Sequence, residues 1–470
     1  MSKLVLQPAV AQLALLRDRR ISVSELAEEH LAQIARLNPL LNAFADFDAE
    51  RIRVQARQMD AHTGERGPLF GLPVTVKSSI ATAGYRCEIG STLLKGDVPA
   101  SDAVVVARLR AAGALILGTT NCPEFLMAYE TANLLHGRSN NPWDLERTPG
   151  GSSGGESAAI AAGMSAAGFG SDSGGSVRVP AHFTGICSLK PTPGRFPGAG
   201  HLPPCVGPFS VLGAIGPMAR TLRDVELMFM TLSGQDTTDP SSPPIHYRTR
   251  NLDELRAIPI GYFEDDALAP VTTETRAAVQ AAAKVLREAG FRVEAFRPKS
   301  LEAMRQLWWK LFVQCGEMFY RPVYSGREDE LSPIFAEFLS IARSRSELTP
   351  TELLHAWAEL DILRAKMLEE MRHFPVLLCP AASVPAWKHG ERTWTIDGQE
   401  VTYLDAVRHT QWFNVLGAPA AVVPVAQSPE GLPIGVQIAA RPYEDEVALD
   451  IAAIVESAFG YRVPPMALDA

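Results

Sequence analysis

The chain has 470 residues, 46% of them hydrophobic and 21% charged, and 44 Lys and Arg against 53 Asp and Glu leave a net charge of −9. That length can bury a large core in an ordinary globular composition, while the acidic balance excludes a general attraction to nucleic acid or to an anionic membrane. No run of 18 apolar residues occurs and no signal-peptide pattern surrounds Met1-Ser2-Lys3, so no membrane span and a cytoplasmic location are expected.

Ser22-Val23-Ser24-Glu25 is a capping box, and Val23, Leu26, Ala27, His30, Leu31, Ile34 and Leu37 recur at helical spacing up to Asn38-Pro39. His30 reads as a packed core histidine. A charged helix is predicted from about Asp48 to His62. Gly67-Pro68 and Gly71 then lead into Leu72-Pro73-Val74-Thr75-Val76-Lys77, a buried strand ending on a lysine. An unpaired ammonium is costly to bury, so Lys77 calls for an explanation beyond packing. A helix from Ser101-Asp102 and a strand over Ala114–Gly118 continue the strand-helix-strand grammar of an open α/β sheet. Pro123 to Tyr129 leads into a polar loop through Asn140-Asn141-Pro142-Trp143.

The densest signal lies between Pro149 and Pro191. Gly150-Gly151-Ser152-Ser153-Gly154-Gly155 and Gly170-Ser171-Asp172-Ser173-Gly174-Gly175-Ser176 bracket an alanine-rich helix. Clustered glycines mark two shaped loops where a group must approach the main chain closely. Beyond them, Pro191 to Pro217 reads as an irregular cover and Thr231 to Arg248 as a linker. Strands are predicted at Ile258–Tyr262, Phe291–Phe296, Val376–Cys379, Ala421–Val425 and Ile434–Ile438, with a second capping box at Thr349-Pro350-Thr351-Glu352. Strand signals on both sides of the linker predict one large α/β domain. The six cysteines form no CxxC pair and no metal-ligand spacing, so reduced, mostly buried thiols and no metal site are expected.

Four chemistries compete for the glycine-serine loops. A phosphate loop needs a lysine after its last glycine, where Glu156 stands. A dinucleotide fingerprint lacks its Gly-x-Gly-x-x-Gly spacing. Gly150-Gly151-Ser152-Ser153-Gly154 formally matches a nucleophile elbow, but Pro149 and the turn residues before it argue against the entering strand. The fourth reading joins Lys77 to a loop serine, since burial disfavours the charged amine and a neutral one can activate a hydroxyl.

The run from Gly150 to Pro191 resembles the signature of the amidase signature family, through Gly-Gly-Ser-Ser-Gly-Gly-Glu, then Gly-Ser-Asp-Ser-Gly-Gly-Ser-Val-Arg-Val-Pro-Ala, then Leu189-Lys190-Pro191-Thr192. Leu72–Lys77, Asn121-Cys122-Pro123-Glu124, Asn141-Pro142-Trp143 and Gly431–Gln437 carry the likeness over most of the chain. The resemblance implies an α/β fold with a large twisted mixed β-sheet flanked by helices on both faces. It divides as docking helices to about residue 65, a signature core over about 66–230, a linker over about 231–250, and the rest of the same sheet from about 251 to 470. It makes Ser176 the nucleophile, Ser152 a bridging serine with a cis peptide, and Lys77 the base. The N–H groups of Ser173, Gly174, Gly175 and Ser176 become the oxyanion hole, with Ser153, Asp172 and Arg178 supporting the loops.

The same resemblance implies amide hydrolysis without cofactor or metal, on a small-molecule substrate, with a homodimer allowed. Pro123 to Asn133 is similar to fatty-acid amide hydrolases, which puts Leu126, Met127 and Tyr129 against an apolar group. Ser78 and Ser173 depart from the family pattern, the first standing where many members carry an acid. A carbamate or ester hydrolase, a glutamyl-tRNA amidotransferase A-type subunit that needs partners, and a non-enzymatic binding module are the alternatives.

Overall fold

In a computed structural model describing residues 4–468, eleven strands form one sheet. Met1-Ser2-Lys3, noted above for its lack of a signal-peptide pattern, lies outside the described residues. In chain order the strands are β1 (Phe44–Phe47), β2 (Pro73–Lys77), β3 (Leu115–Thr120), β4 (Ala167–Asp172), β5 (Cys187–Lys190) and β6 (Ala214–Ala219). Past the linker come β7 (Ile260–Tyr262), β8 (Val293–Ala295), β9 (Val376–Pro380), β10 (Ala420–Gln427) and β11 (Pro433–Ala439). Their spatial order is β1-β3-β2-β4-β6-β5-β10-β11-β9-β7-β8. The sheet is mixed: β2 runs parallel to β3 and β4, whereas β4-β6, β6-β5, β5-β10 and β10-β11 are antiparallel. The junction of β5 with β10 stitches the chain before the linker to the chain after it.

The two-residue period of a strand sends alternate side chains to opposite faces, and both faces are covered. Val74, Val76, Ile116, Phe169, Val423 and Val436 pack under the helices Val104–Ala111, Leu222–Leu232, Thr273–Glu288 and Asp445–Phe459. On the other face Leu115 and Leu117 meet α1 (Val23–Leu41), while Leu377, Cys379 and Ala420 meet a second helical layer built on Trp308 and Trp412. Helices named below are α2 (Gly154–Ala161), α3 (Arg178–Thr184), α4 (Leu301–Trp308) and α5 (Arg408–Leu416).

The Ser22 capping box forms as predicted, but α1 runs past Asn38-Pro39 to Leu41, because a proline in a last turn removes only a terminal bond. His30 is fully buried against Gln12. The helix expected from Ser101-Asp102 begins at Val104, since Asp102 is engaged by Ala83 N–H and Arg110 instead. The larger correction concerns the cover from Pro191 to Pro217, whose end enters β6, a central strand. Gly216-Pro217 reads as a turn, yet pairing with β4 on one side and β5 on the other overrides that local preference.

Candidate active site

Lys77 ends β2 with its side chain fully buried in the middle of the sheet. Its Nζ lies 2.7 Å from Ser152 Oγ, 3.1 Å from Ser171 Oγ and 3.4 Å from the Ser171 carbonyl. Ser152 comes from the first glycine-serine loop, across a cis Gly151–Ser152 peptide, and Ser171 from the end of β4. The two loops are joined by Ser153, whose N–H donates to the Ser176 carbonyl at 3.2 Å and whose Oγ accepts from Ser171 N–H at 3.4 Å. Strand β2, lying beside β4, therefore delivers the lysine where both loops converge.

Burial pushes the Lys77 amine from its ordinary 10.5 down to about 8. Desolvation dominates because the nearby acids are either committed elsewhere or themselves disfavoured as anions. Glu156 on α2 is buried between Thr75 and Thr120, whose hydroxyls donate to it, and burial raises it to about 7. Asp172 would also rise through burial, but Arg178 outweighs that and holds it well below the carboxylate range. Both side chains are inaccessible and are joined by donation from Arg178 Nε at 3.0 Å and Nη2 at 2.9 Å. Arg178 also donates to Asn414 Oδ1, Gln437 Oε1 and the Thr410 carbonyl. An ion pair with these satisfying partners can be buried without leaving a charge unmatched.

This anchored pair shapes the loop before Ser176. Asp172 Oδ1 accepts from Gly175 N–H at 2.8 Å and Oδ2 from Val177 N–H at 3.2 Å. Trp308 Nε1 donates to the Ser173 carbonyl at 2.9 Å, and Tyr129 and Thr410 hydroxyls donate to the Gly174 carbonyl at 2.8 and 2.6 Å. In a trans peptide the N–H points opposite to the preceding carbonyl, so the Gly174 N–H turns away from Trp308. The donor set differs from the expectation in one respect: Gly175 N–H is spent on Asp172, leaving those of Ser173, Gly174 and Ser176 without an acceptor among the described residues. A Cβ on Gly175, at φ +129°, would sit 2.3 Å from Thr410 Oγ1. Only glycine lets the loop pass there.

Ser176 opens onto two adjoining chambers. One is lined by Leu126, Met127, Tyr129, Trp308 and Phe338; the other holds Ser152, Ser171, Ser173 and His201. Leu126, Met127, Ser176 and Phe312 face both. The Ser152 and Ser176 hydroxyls are not hydrogen-bonded to each other, although both face the second chamber. Phe125 and Leu126 are consecutive left-handed residues, φ 50° and 67°, a strained conformation that large side chains adopt mostly at functional walls.

Leu126, Met127 and Tyr129, expected from the sequence to face an apolar group, line the first chamber, and Tyr129 also donates to the loop at Gly174. Sequence reasoning missed Ser171 as a partner of Lys77, although its motif was in view. It also missed Trp308 and Phe312, whose stacked rings lie 4.9 Å apart on α4 and the π-helical turn Trp309–Gln314 that follows. Thr410 and Asn414 on α5 gave no local signal. No group of three or more His, Cys, Asp or Glu among the described residues could hold a metal ion, and no helix among them is long and apolar enough to cross a membrane.

The amidase family model matches residues 25–449. The chain is 34% identical to the A-type subunit of glutamyl-tRNA(Gln) amidotransferase from Roseiflexus castenholzii over 456 residues, 92% of this chain and 91% of that one. It is 33% identical to the indoleacetamide hydrolase of Bradyrhizobium diazoefficiens over 464 residues, 96% of this chain and 86% of that one. Among solved structures, a 6-aminohexanoate cyclic dimer hydrolase superposes with a TM-score of 0.86 at 28% identity, covering 98% of this chain and 99% of the other.

Proposed function

Because the chain belongs to the amidase family and is an amide-hydrolysing enzyme, we propose that it cleaves a small uncharged amide through Ser176, Ser152 and Lys77. The observation that carries the assignment is the buried Lys77 amine, 2.7 Å from Ser152 Oγ, beside a loop with free N–H donors. Neutral Lys77 takes a proton from Ser152, which takes one from Ser176, and Ser176 Oγ attacks the carbonyl carbon. The developing oxyanion is met by the N–H groups of Ser173, Gly174 and Ser176; Trp308 already fixes the peptide carrying the Gly174 N–H and Asn414 Nδ2 the one carrying the Ser173 N–H, while Tyr129, Thr410 and Asp172 hold the peptide that follows. The C–N bond breaks as the proton returns through Ser152 to the nitrogen. Water then adds to the acyl-serine, with Lys77 and Ser152 again taking its proton, and the Ser176–acyl bond breaks to release a carboxylic acid. The Ser152–Ser176 transfer requires the two hydroxyls to close up on substrate binding, a tightening common between free enzymes and their complexes.

The acyl group occupies the chamber lined by Leu126, Met127, Tyr129 and Trp308. Its one carboxylate, Glu337, is already paired with Arg392 at 2.7 Å, so the lining offers apolar and aromatic surface rather than an unmatched charge. The second reading, an amidotransferase A-type subunit, is favoured by the 34% identity to that protein. The apolar chamber speaks for the first, since the charged ammonium and carboxylate of a glutamine would find no partner on it.

The test is labelling by a fluorophosphonate together with hydrolysis by the purified chain alone. Wild type should form one covalent adduct that Ser176→Ala abolishes, and should turn over amides without any partner. Labelling that survives at another serine would reassign the nucleophile; an inert lone chain that gains activity on adding amidotransferase partner chains would establish the second reading.

A further inference from the structure

Resting on the Ser176-Ser152-Lys77 reading, we infer that the second chamber is a leaving-amine site and that the preferred substrates are N-substituted amides bearing an uncharged aromatic group on nitrogen, rather than primary amides that release ammonia. The departing nitrogen must receive its proton from Ser152, so it lies within hydrogen-bond reach of Ser152 Oγ. Ser152 faces the second chamber and not the first. A substituent on that nitrogen is therefore directed into the second chamber, while the acyl substituent, on the other side of the carbonyl carbon, takes the first.

The chemistry of the lining sets the class of amine. Its roof is Met127, Pro203, Cys205, Phe209, Phe312 and Tyr320, a mostly apolar and aromatic surface. No Asp, Glu, Lys or Arg lines it. Its titratable groups are neutral at physiological pH. His201 is pushed down to about 4 by burial and the Cys205 thiol up to about 12, also by burial. The Tyr320 hydroxyl is spent on the Phe125 carbonyl at 3.1 Å, and His201 faces the Pro203 carbonyl through Nδ1 at 2.8 Å and Ser79 Oγ through Nε2 at 3.4 Å. A cationic amine or an amino-acid amide would have to leave water here without a counter-charge. A neutral ring would instead bury apolar area and gain affinity from it. Ammonia would leave this surface in contact with water.

The bond changes are those of the proposed reaction, with an arylamine in place of ammonia: Ser176 Oγ forms the ester as the C–N bond breaks, and the proton lost by Ser176 reaches the amine nitrogen by way of Ser152.

The experiment compares kcat/KM for a primary arylacetamide and the N-phenyl amide of the same acid, in wild type, Cys205→Trp and Cys205→Ala. Cys205 is half-buried and lies in the irregular cover outside every strand and helix, so neither substitution alters the sheet. Wild type should favour the N-phenyl amide by about tenfold or more, the effect of burying one ring. Cys205→Trp, which fills the chamber, should lower the ratio of N-phenyl to primary amide at least tenfold, and Cys205→Ala should keep it. Intrinsic leaving-group reactivity is the same in all three proteins, so it cancels from the change in ratio. Equal losses on both substrates in Cys205→Trp would overturn the leaving-amine site while leaving the nucleophile assignment standing. Persistence of turnover in Ser176→Ala would instead overturn the reading beneath it.

Discussion

A lysine held neutral by burial destabilises the fold that holds it, and Lys77→Met measures by how much. The fall from 10.5 in the unfolded chain to about 8 in the folded one corresponds to about 3 kcal/mol. The unfolded state binds more protons between those two values, so wild-type stability rises with pH across that interval. The penalty is fully present below pH 8 and is relieved progressively as pH rises from 8 towards 10.5. Methionine has no such titration, but it forfeits the contacts of Nζ with Ser152 and Ser171, each worth about 1 kcal/mol, at every pH. The difference in unfolding free energy between variant and wild type should therefore favour the variant most near pH 7 and move by about 2–3 kcal/mol towards wild type by pH 10. Urea unfolding of both proteins at pH 7, 8, 9 and 10, with reversibility checked at each pH, reads this directly. Glu156, which faces Lys77 and is raised to about 7 by burial, has ionised in the wild type before the informative interval begins. Cys122, also beside Lys77, is held above its ordinary 9.0 by burial in the fold, so its unfolded-state thiol ionises inside this interval, but it does so in both proteins and cancels from their difference. A difference that stays constant from pH 7 to 10 would refute a neutral buried lysine.

The same group predicts the rate profile: kcat/KM on a non-ionising amide should fall tenfold per pH unit below about 8 and level off above it, and a plateau reaching down to pH 6 would remove lysine as the base. Asn414→Leu deletes hydrogen bonds to Asp172 Oδ1 and the Leu212 carbonyl and the one accepted from Arg178, while keeping the side chain's branching and number of heavy atoms. Bonds to charged groups are worth about 1.5–3 kcal/mol each, so kcat should drop more than tenfold with little change in KM. A variant with a raised KM and an intact kcat would place Asn414 with substrate binding instead.

The parts of this architecture that a local pattern encodes were legible. The capping boxes at Ser22 and Thr349 open helices as expected. The apolar runs ending at Lys77 and beginning at Ala421 are strands of one sheet, because a strand buried on both faces is written as a continuous apolar run. Lys77 stood out because a charged end to such a run has no packing reason. What escaped was long-range. Strand β6 carries Gly216-Pro217, a turn signal that only pairing on both sides overrules. Trp308, Thr410 and Asn414 reach the loop from helices more than a hundred residues away in sequence, where nothing in their own neighbourhoods distinguishes them from core residues. The sequence places the Gly175 N–H in the run of expected donors but does not show that a neighbouring carboxylate, Asp172, has already taken it.

Ser78 shows how these levels connect. An acid beside a lysine would favour the ammonium, and an opposite charge within about 4–6 Å commonly raises an amine by one to three pH units. In its place Ser78 is buried and lies 3.2 Å from Cys122 Sγ, a neutral contact. The remaining carboxylates substitute for it only in part: Asp172 is neutralised by Arg178, and Glu156 is committed to the Thr75 and Thr120 hydroxyls. Desolvation therefore dominates, and in the proposed mechanism it is this desolvation that lets a primary amine act as a base near neutral pH. On the same proposal the loop donors depend on it in turn, because an oxyanion would form beside them only after the hydroxyl relay has been deprotonated. Strand burial and the closed Asp172–Arg178 pair thus act together, the first desolvating Lys77 and the second matching the Asp172 charge, while Gly174 and Gly175 let the loop pass where a Cβ would collide with Trp308 and Thr410.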